Sequence, residues 1–136
     1  MNKSTISYRK SRSATFLLNY HFVWCPRRRR KVLKGEIANR CRQLIWEAAN
    51  ELDCQVISLA IEPDHVHLFI NCPPTIAPYQ IAHRIKGRTA RFLREEFPDP
   101  LMKLPSMWTS SYFASTAGNV SSSTIQKYIE AQGKID

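Results

Sequence analysis

The stretch Cys54-Gln-Val-Ile-Ser-Leu-Ala-Ile-Glu-Pro-Asp-His-Val-His-Leu-Phe-Ile-Asn-Cys72 reads as two strands folded back on each other. Cys54–Ile61 and His65–Cys72 are rich in branched and aromatic residues, and Pro63-Asp64 is a short connection between them. Pro73-Pro74 stops the second strand. Upstream, Gly35 opens a predicted helix in which Ile37, Cys41, Leu44, Ala48 and Leu52 share one face. Further upstream, Thr15-Phe-Leu-Leu-Asn-Tyr-His-Phe-Val-Trp24 is a predicted strand ended by Pro26, with Arg27–Lys31 as the loop beyond it. Residues 1–14 read as a flexible basic arm, and 15–136 as a single domain.

Downstream of the hairpin, Pro78–Phe97 has helical spacing, with Ile81, Ile85, Phe92 and Leu93 inward and its basic residues largely outward. Gly87 weakens that helix locally. Pro98–Pro105 reads as a loop, Met107–Thr116 as a fourth strand, and Ala117-Gly118-Asn119 as a turn. Ser123 with Gln126 three residues on forms a candidate capping box for a last helix that stops near Gly133. The order βαββαβ plus a C-terminal helix predicts an α+β, ferredoxin-like or RRM-like fold. Its four-stranded antiparallel sheet carries two helices on one face and leaves the other open. Open sheets of this kind commonly bind single-stranded nucleic acid.

The composition agrees. At 136 residues the chain has room for one core. Its 20 Lys and Arg against 11 Asp and Glu give a net charge of +9. The placement says more than the sum: residues 1–34 contain many basic side chains and no acid, and His83–Arg94 is a second acid-free run. Two such runs point to a polyanionic partner, with Arg27, Arg28, Arg29, Arg30, Lys31, Arg84, Lys86, Arg88 and Arg91 as candidate DNA contacts. A solvated charged surface is the plainer alternative. Neither run carries a strong apolar face, and no stretch approaches the roughly 20 apolar residues of a membrane span. With no secretory signal at Met1–Lys10, a cytoplasmic protein is expected. Cys25, Cys41, Cys54 and Cys72 lack C-x-x-C spacing and read as reduced thiols in or near the core.

His65 and His67 stand two apart on a predicted strand, so both imidazoles face one side and can converge on one cation. Two ordinary surface histidines would look the same. On the last helix, Tyr128 and Gln132 stand four apart, hence on one face, while Ile125 and Ile129 can anchor it. A Gln carbonyl suits Mg²⁺ or Mn²⁺ alongside imidazole, and a phenol one turn away could reach a phosphorus held there. The alternative for Tyr128 is a ring packed on the helix surface. Glu62 and Asp64 could orient an imidazole, although a charged hairpin tip is the simpler reading. His21 and His83 have no partner in sequence, and Trp108 and Tyr112 could either stack on bases or pack in the core.

Five blocks in order carry a resemblance: Tyr20–Leu33, Pro63–Leu68, Ile85–Arg88 with Phe92–Phe97, Met107–Gly118, and Tyr128–Gln132. The chain resembles the single-tyrosine HUH transposases (His, bulky apolar residue, His) of the insertion sequence 200/605 family, TnpA-like and akin to REP-associated tyrosine transposases. The resemblance implies that His65, His67 and Gln132 bind Mg²⁺ or Mn²⁺, and that Tyr128 attacks DNA to give a 5′-phosphotyrosine and a free 3′-OH. It also implies single-stranded DNA with subterminal hairpins as substrate, and a homodimer whose tyrosine helices can complete the site in trans. Ser111 stands where the family pattern often has Gly, and only one tyrosine lies on the last helix, unlike the two-tyrosine relaxases. The alternatives are a non-catalytic single-strand DNA- or RNA-binding module on the same fold, and a domesticated tyrosine enzyme acting on repetitive palindromes.

Overall fold

The structure is a computed structural model describing residues 8–116 and 122–135. A two-stranded ribbon, β1 (Arg9–Lys10) and β2 (Thr15–Phe16), precedes the main sheet. That sheet contains β3 (Asn19–Trp24), β4 (Gln55–Glu62), β5 (His65–Asn71) and β6 (Phe113–Thr116), in the order β4-β5-β3-β6 with every pair antiparallel. Helix α1 (Gly35–Glu51) joins β3 to β4, and α2 (Pro78–Glu96) follows β5. A single helical turn, α3 (Pro98–Leu101), comes next, and α4 (Ser122–Ile135) closes the chain. This is the predicted ferredoxin-like plan. Among the described residues no helix is long and apolar enough to cross a membrane.

Alternation along the strands separates two chemistries. Val66, Leu68 and Ile70 of β5 are fully buried and join Phe22 and Trp24 of β3 against α1 and α2. The helices contribute Cys41, Leu44, Ile45 and Ala48 from α1 and Ile81, Ile85 and Leu93 from α2. The intervening His65, His67 and Phe69 therefore face the other side of the sheet. Leu68 sits in the middle of this core, so Leu68→Ala is expected to cost about 2–5 kcal/mol, read as a lower urea midpoint with unchanged slope. On the opposite face, Ile129 of α4 packs with Val23 and Cys25, flanked by Ile125, Phe113 and Tyr128. That small apolar cluster docks the last helix on the histidine side.

Several boundaries differ from the sequence expectation, each for a local reason. The basic arm is tied down from Arg9 onward. Arg9 donates to Asn71 Oδ1 (2.8 Å) and to the Asp53 carbonyl oxygen (3.1 Å), with its guanidinium over the Phe16 ring. Residues 1–7, and the turn expected at Ala117-Gly118-Asn119, lie outside the described residues. The first long strand breaks between Phe16 and Asn19. The fourth strand is only Phe113–Thr116, because Trp108 turns into the core and its indole N–H donates to Thr89 Oγ1 at 2.9 Å. Residues 107–112 accordingly follow α2, and one Pro26–Trp108 bridge is their tie to β3's end. The expected loop Pro98–Pro105 holds a helical turn, and Phe92 is only partly buried. Helix α4 begins at Ser122, so Ser123 lies inside it, and it continues through Gly133. All four cysteines are buried, and burial pushes the Cys41 thiol up to about 12.

Candidate active site

Register aligns the open face in rows. Ala60, His67, Val23 and Phe113 lie side by side across the four strands, and Ser58, Phe69, His21 and Ser115 form the next row. His65 stands opposite Glu62 at the hairpin end. Asp64 Oδ1 lies 3.0 Å from His65 Nδ1, and Arg29 Nε donates to Asp64 Oδ2 at 3.1 Å. Burial raises the Asp64 carboxyl, but the hydrogen bond to His65 and the Arg29 guanidinium outweigh it and hold it below the ordinary value. With Nδ1 engaged, His65 keeps Nε2 for a ligand.

His67 is half-buried. Its Nε2 lies 3.2 Å from His21 Nδ1, and the His21 ring stacks on Phe69 with centroids 4.3 Å apart. Burial, then the neighbouring His21 and His65, hold the His67 pKa below its usual value. The imidazole is thus neutral at neutral pH, the form that can ligate a metal.

The nucleophile candidate sits across the same face. The Tyr128 ring leans on Phe113 at 6.0 Å, and its hydroxyl lies 3.0 Å from Ser111 Oγ. Ser111 Oγ is also 3.0 Å from Gln132 Oε1, while Gln132 Nε2 donates to the Tyr128 carbonyl oxygen at 3.4 Å. Gln132 is only 5% exposed. From the other side, Lys86 Nζ donates to the carbonyl oxygens of Thr109 (2.9 Å) and Ser111 (3.0 Å) and lies over the Tyr112 ring.

Among the described residues no three His, Cys, Asp or Glu side chains form a metal-binding group. The donor chemistry fits Mg²⁺ or Mn²⁺: two imidazoles on one strand face and a carboxamide on the helix docked over that face.

The basic run Arg27–Lys31 starts with a 3₁₀ turn, Arg27–Arg29, against which α4 packs. Arg28 and Arg29 both have positive φ, 58° and 53°, unusual for side chains of this size. Arg27 Nη1 donates to Ser106 Oγ and Arg29 holds Asp64, whereas Arg28, Arg30 and Lys31 are exposed.

The sequence profile described as "Transposase IS200 like" matches residues 14–132, most of the chain. The chain belongs to the IS200-like transposase family. It is 33% identical over 129 residues to the ISDra2 transposase TnpA of Deinococcus radiodurans, covering 93% of this chain and 92% of that protein. It is 25% identical over 115 residues to the IS200 transposase of Salmonella typhimurium, covering 83% and 75%. A crystallised Deinococcus radiodurans R1 transposase superposes with a TM-score of 0.84 at 29% identity, covering 91% of this chain and 97% of that one. A REP-associated tyrosine transposase bound to a REP hairpin shares the fold at 14% identity, TM-score 0.57, covering 90% and 68%.

The transposase brings some expected site residues together and separates others. Tyr128 and Gln132 meet at Ser111, and His65 and His67 share the face on which α4 docks. The α2 arginines lie on the helix layer, behind the sheet from the histidines. Arg88 pairs with Glu51 and Glu47, Arg84 approaches Glu51 at 3.9 Å, and Arg91 pairs with Glu95. A cavity of about 500 Å³ lies between α2 and residues 106–112, lined by Tyr79, His83, Lys86, Arg94 and Trp108 among others. Sequence reasoning missed the partnership of His21 with His67, left Asp64 as the weaker reading, and gave Ser111 no role in the chemistry. The spacing His21-Phe-Val against His65-Val-His67 is the signal that pairing β3 with β5 would have exposed.

Proposed function

We propose that this transposase cleaves and rejoins single-stranded DNA through Tyr128, with a divalent cation bound by His65, His67 and Gln132. The observation that carries this is that the Tyr128 hydroxyl and the Gln132 carbonyl meet at Ser111 while α4, which bears both, docks over the histidine face. In the proposed reaction the Tyr128 phenol oxygen attacks a backbone phosphorus, and the bond from that phosphorus to the 3′ oxygen breaks. The products are a 5′-phosphotyrosine and a free 3′-OH, which carries the proton the phenol gave up. The adduct retains the energy of the broken linkage, so the strand can be rejoined without ATP. When bound, Mg²⁺ or Mn²⁺ supplies charge neutralisation at the phosphoryl oxygens. A phenol with a reference pKa of about 10 needs such help near neutrality. Asp64, braced by Arg29, fixes the His65 ring so that one nitrogen stays available.

Arg28, Arg30 and Lys31 lie at the end of the same face and are assigned to the DNA backbone, and the stacked His21–Phe69 pair offers a base platform. Arg84, Arg88 and Arg91 are assigned at most to flanking duplex on the helix side, whereas the Lys86 ammonium is engaged by the carbonyl oxygens of Thr109 and Ser111. Family membership supports the further proposals of subterminal hairpins as the recognised structure and of a homodimer with the tyrosine helix acting in cis or trans. The hairpin-bound REP relative is consistent with the former.

Incubation with a labelled single strand and Mn²⁺, followed by denaturing electrophoresis, is expected to give a protein–DNA adduct that chelator prevents. Tight binding with no adduct would instead favour a non-catalytic single-strand module. Binding is also expected to weaken steeply with salt. Replacing Arg28, Arg30 and Lys31 by Gln should reduce the logarithmic slope by about 0.7 per lost phosphate contact, measured by fluorescence anisotropy across a salt series.

A further inference from the structure

The transposase function leaves Ser111 unassigned, yet this one hydroxyl touches both Tyr128 and Gln132. Its proton arrangement follows by exclusion. Gln132 Nε2 faces the Tyr128 carbonyl oxygen, which only accepts, so the oxygen of the amide is the atom that faces Ser111. Oε1 in turn only accepts, so the single Ser111 proton points to it across 3.0 Å. The proton in the other 3.0 Å contact then belongs to Tyr128, whose hydroxyl donates to a Ser111 lone pair. The order is Tyr128 O–H to Ser111 O–H to Gln132 C=O.

Ser111 is itself held from behind. Lys86 reaches across from α2 and donates to the carbonyl oxygens of Thr109 and Ser111, fixing the backbone that carries the hydroxyl. The brace therefore runs from α2, through an irregular segment, to the helix bearing the nucleophile. Without it, the docking of α4 rests on the small apolar cluster around Ile129, Val23 and Cys25 and on packing against the Arg27–Arg29 turn. Apolar contacts of that size seat the helix but do not set the rotamers of Tyr128 and Gln132, because they have no directionality.

We propose that Ser111 is a positioning residue that aligns the Tyr128 hydroxyl and the Gln132 carbonyl with each other, and that Lys86 holds Ser111 in place to do so. A glycine at this position would supply no such hydroxyl. The inference rests on the proposed roles of Tyr128 and Gln132. Outer-shell partners that orient ligands typically matter by about 10–100-fold in metal affinity or activity.

The test compares Ser111→Ala with Ser111→Thr, which keeps the hydroxyl and has room for its methyl because Ser111 is exposed. Three quantities are measured: Mn²⁺ affinity of the DNA-free protein by electron paramagnetic resonance, single-strand affinity, and single-turnover adduct rate. Ser111→Ala is expected to lower Mn²⁺ affinity and adduct rate by about tenfold each, with single-strand affinity unchanged. Ser111→Thr should restore most of both. Unchanged Mn²⁺ affinity and rate in the alanine variant would overturn the proposal. So would losses that threonine does not rescue, or losses that follow weakened DNA binding. If the unaltered protein forms no adduct, the proposed function fails and takes this inference with it. If it forms adduct and the alanine variant matches it, only the role of Ser111 fails.

Discussion

Tyr128→Phe is expected to abolish the covalent protein–DNA adduct while leaving single-strand affinity as it is in the unaltered protein. Phenylalanine keeps the ring that leans on Phe113, and Ile129 still docks α4 on Val23 and Cys25, so the helix stays in place. What disappears is one oxygen and its hydrogen bond to Ser111, a stability loss of about 1 kcal/mol or less for a partly exposed pair. The kinetic loss is far larger, because no other atom on this ring can form the phosphodiester. A drop of at least about 10⁴ in adduct rate is expected for removal of a nucleophile. The check is a denaturing gel with labelled DNA, run beside an anisotropy titration of the same samples. Residual adduct at the original rate would identify another nucleophile. The other tyrosines are poorly placed for that role: Tyr20 and Tyr112 pack against Phe22 on the core side, Tyr79 is exposed on α2 in the helix layer, and Tyr8 is exposed beside the β1–β2 ribbon.

How far the chain could be read without coordinates depends on whether a feature is local. The β4–β5 hairpin and its two faces were legible because period-two alternation is written within eight residues. The Tyr128–Gln132 pair was legible for the same reason, since four residues on a helix is one turn. The strand expected over Met107–Thr116 failed because its first half is captured by a distant element. Trp108 finds Thr89 and Lys86 on α2, a partnership that no local propensity encodes. The anchoring of Arg9 was illegible likewise, because its partners Asn71 and Asp53 lie more than 40 residues away.

The same distinction sorts the site. Asp64 is next to His65 in sequence, yet whether it would orient the ring depended on Arg29 closing from the β3 end, 35 residues away. His21 looked solitary because its partner lies 46 residues on, and only the antiparallel register of β3 with β5 brings the rings together. Charge was legible as a sum and less so as a surface. Arg84, Arg88 and Arg91 form an acid-free run in sequence, but acids of α1 and of the last turn of α2 answer them in space. Exposed ion pairs of this kind contribute little to stability, so their main consequence is a lower positive potential on that face.

His67→Ala should remove most cation binding. In the proposed site His67 is one of two imidazoles, and the remaining donors, His65 and Gln132, belong to different elements, so a two-donor remnant is a weak chelate. The charge stabilisation a bound cation supplies is worth several kcal/mol, so adduct rate is expected to fall by about 10² or more, together with Mn²⁺ affinity. Stability should respond in the opposite sense to acid. Because the folded protein holds the His67 pKa below its ordinary value, the unfolded chain binds more protons there. Stability of the unaltered protein therefore rises with pH through the interval from that depressed value up to about 6.5, and the alanine variant should lack this contribution. Urea midpoints at several pH values, measured without metal, read this directly. A His67→Ala protein that binds Mn²⁺ as tightly as before would move the cation away from the histidine strand. The Tyr128 phenol would then lie beside no assigned cation site.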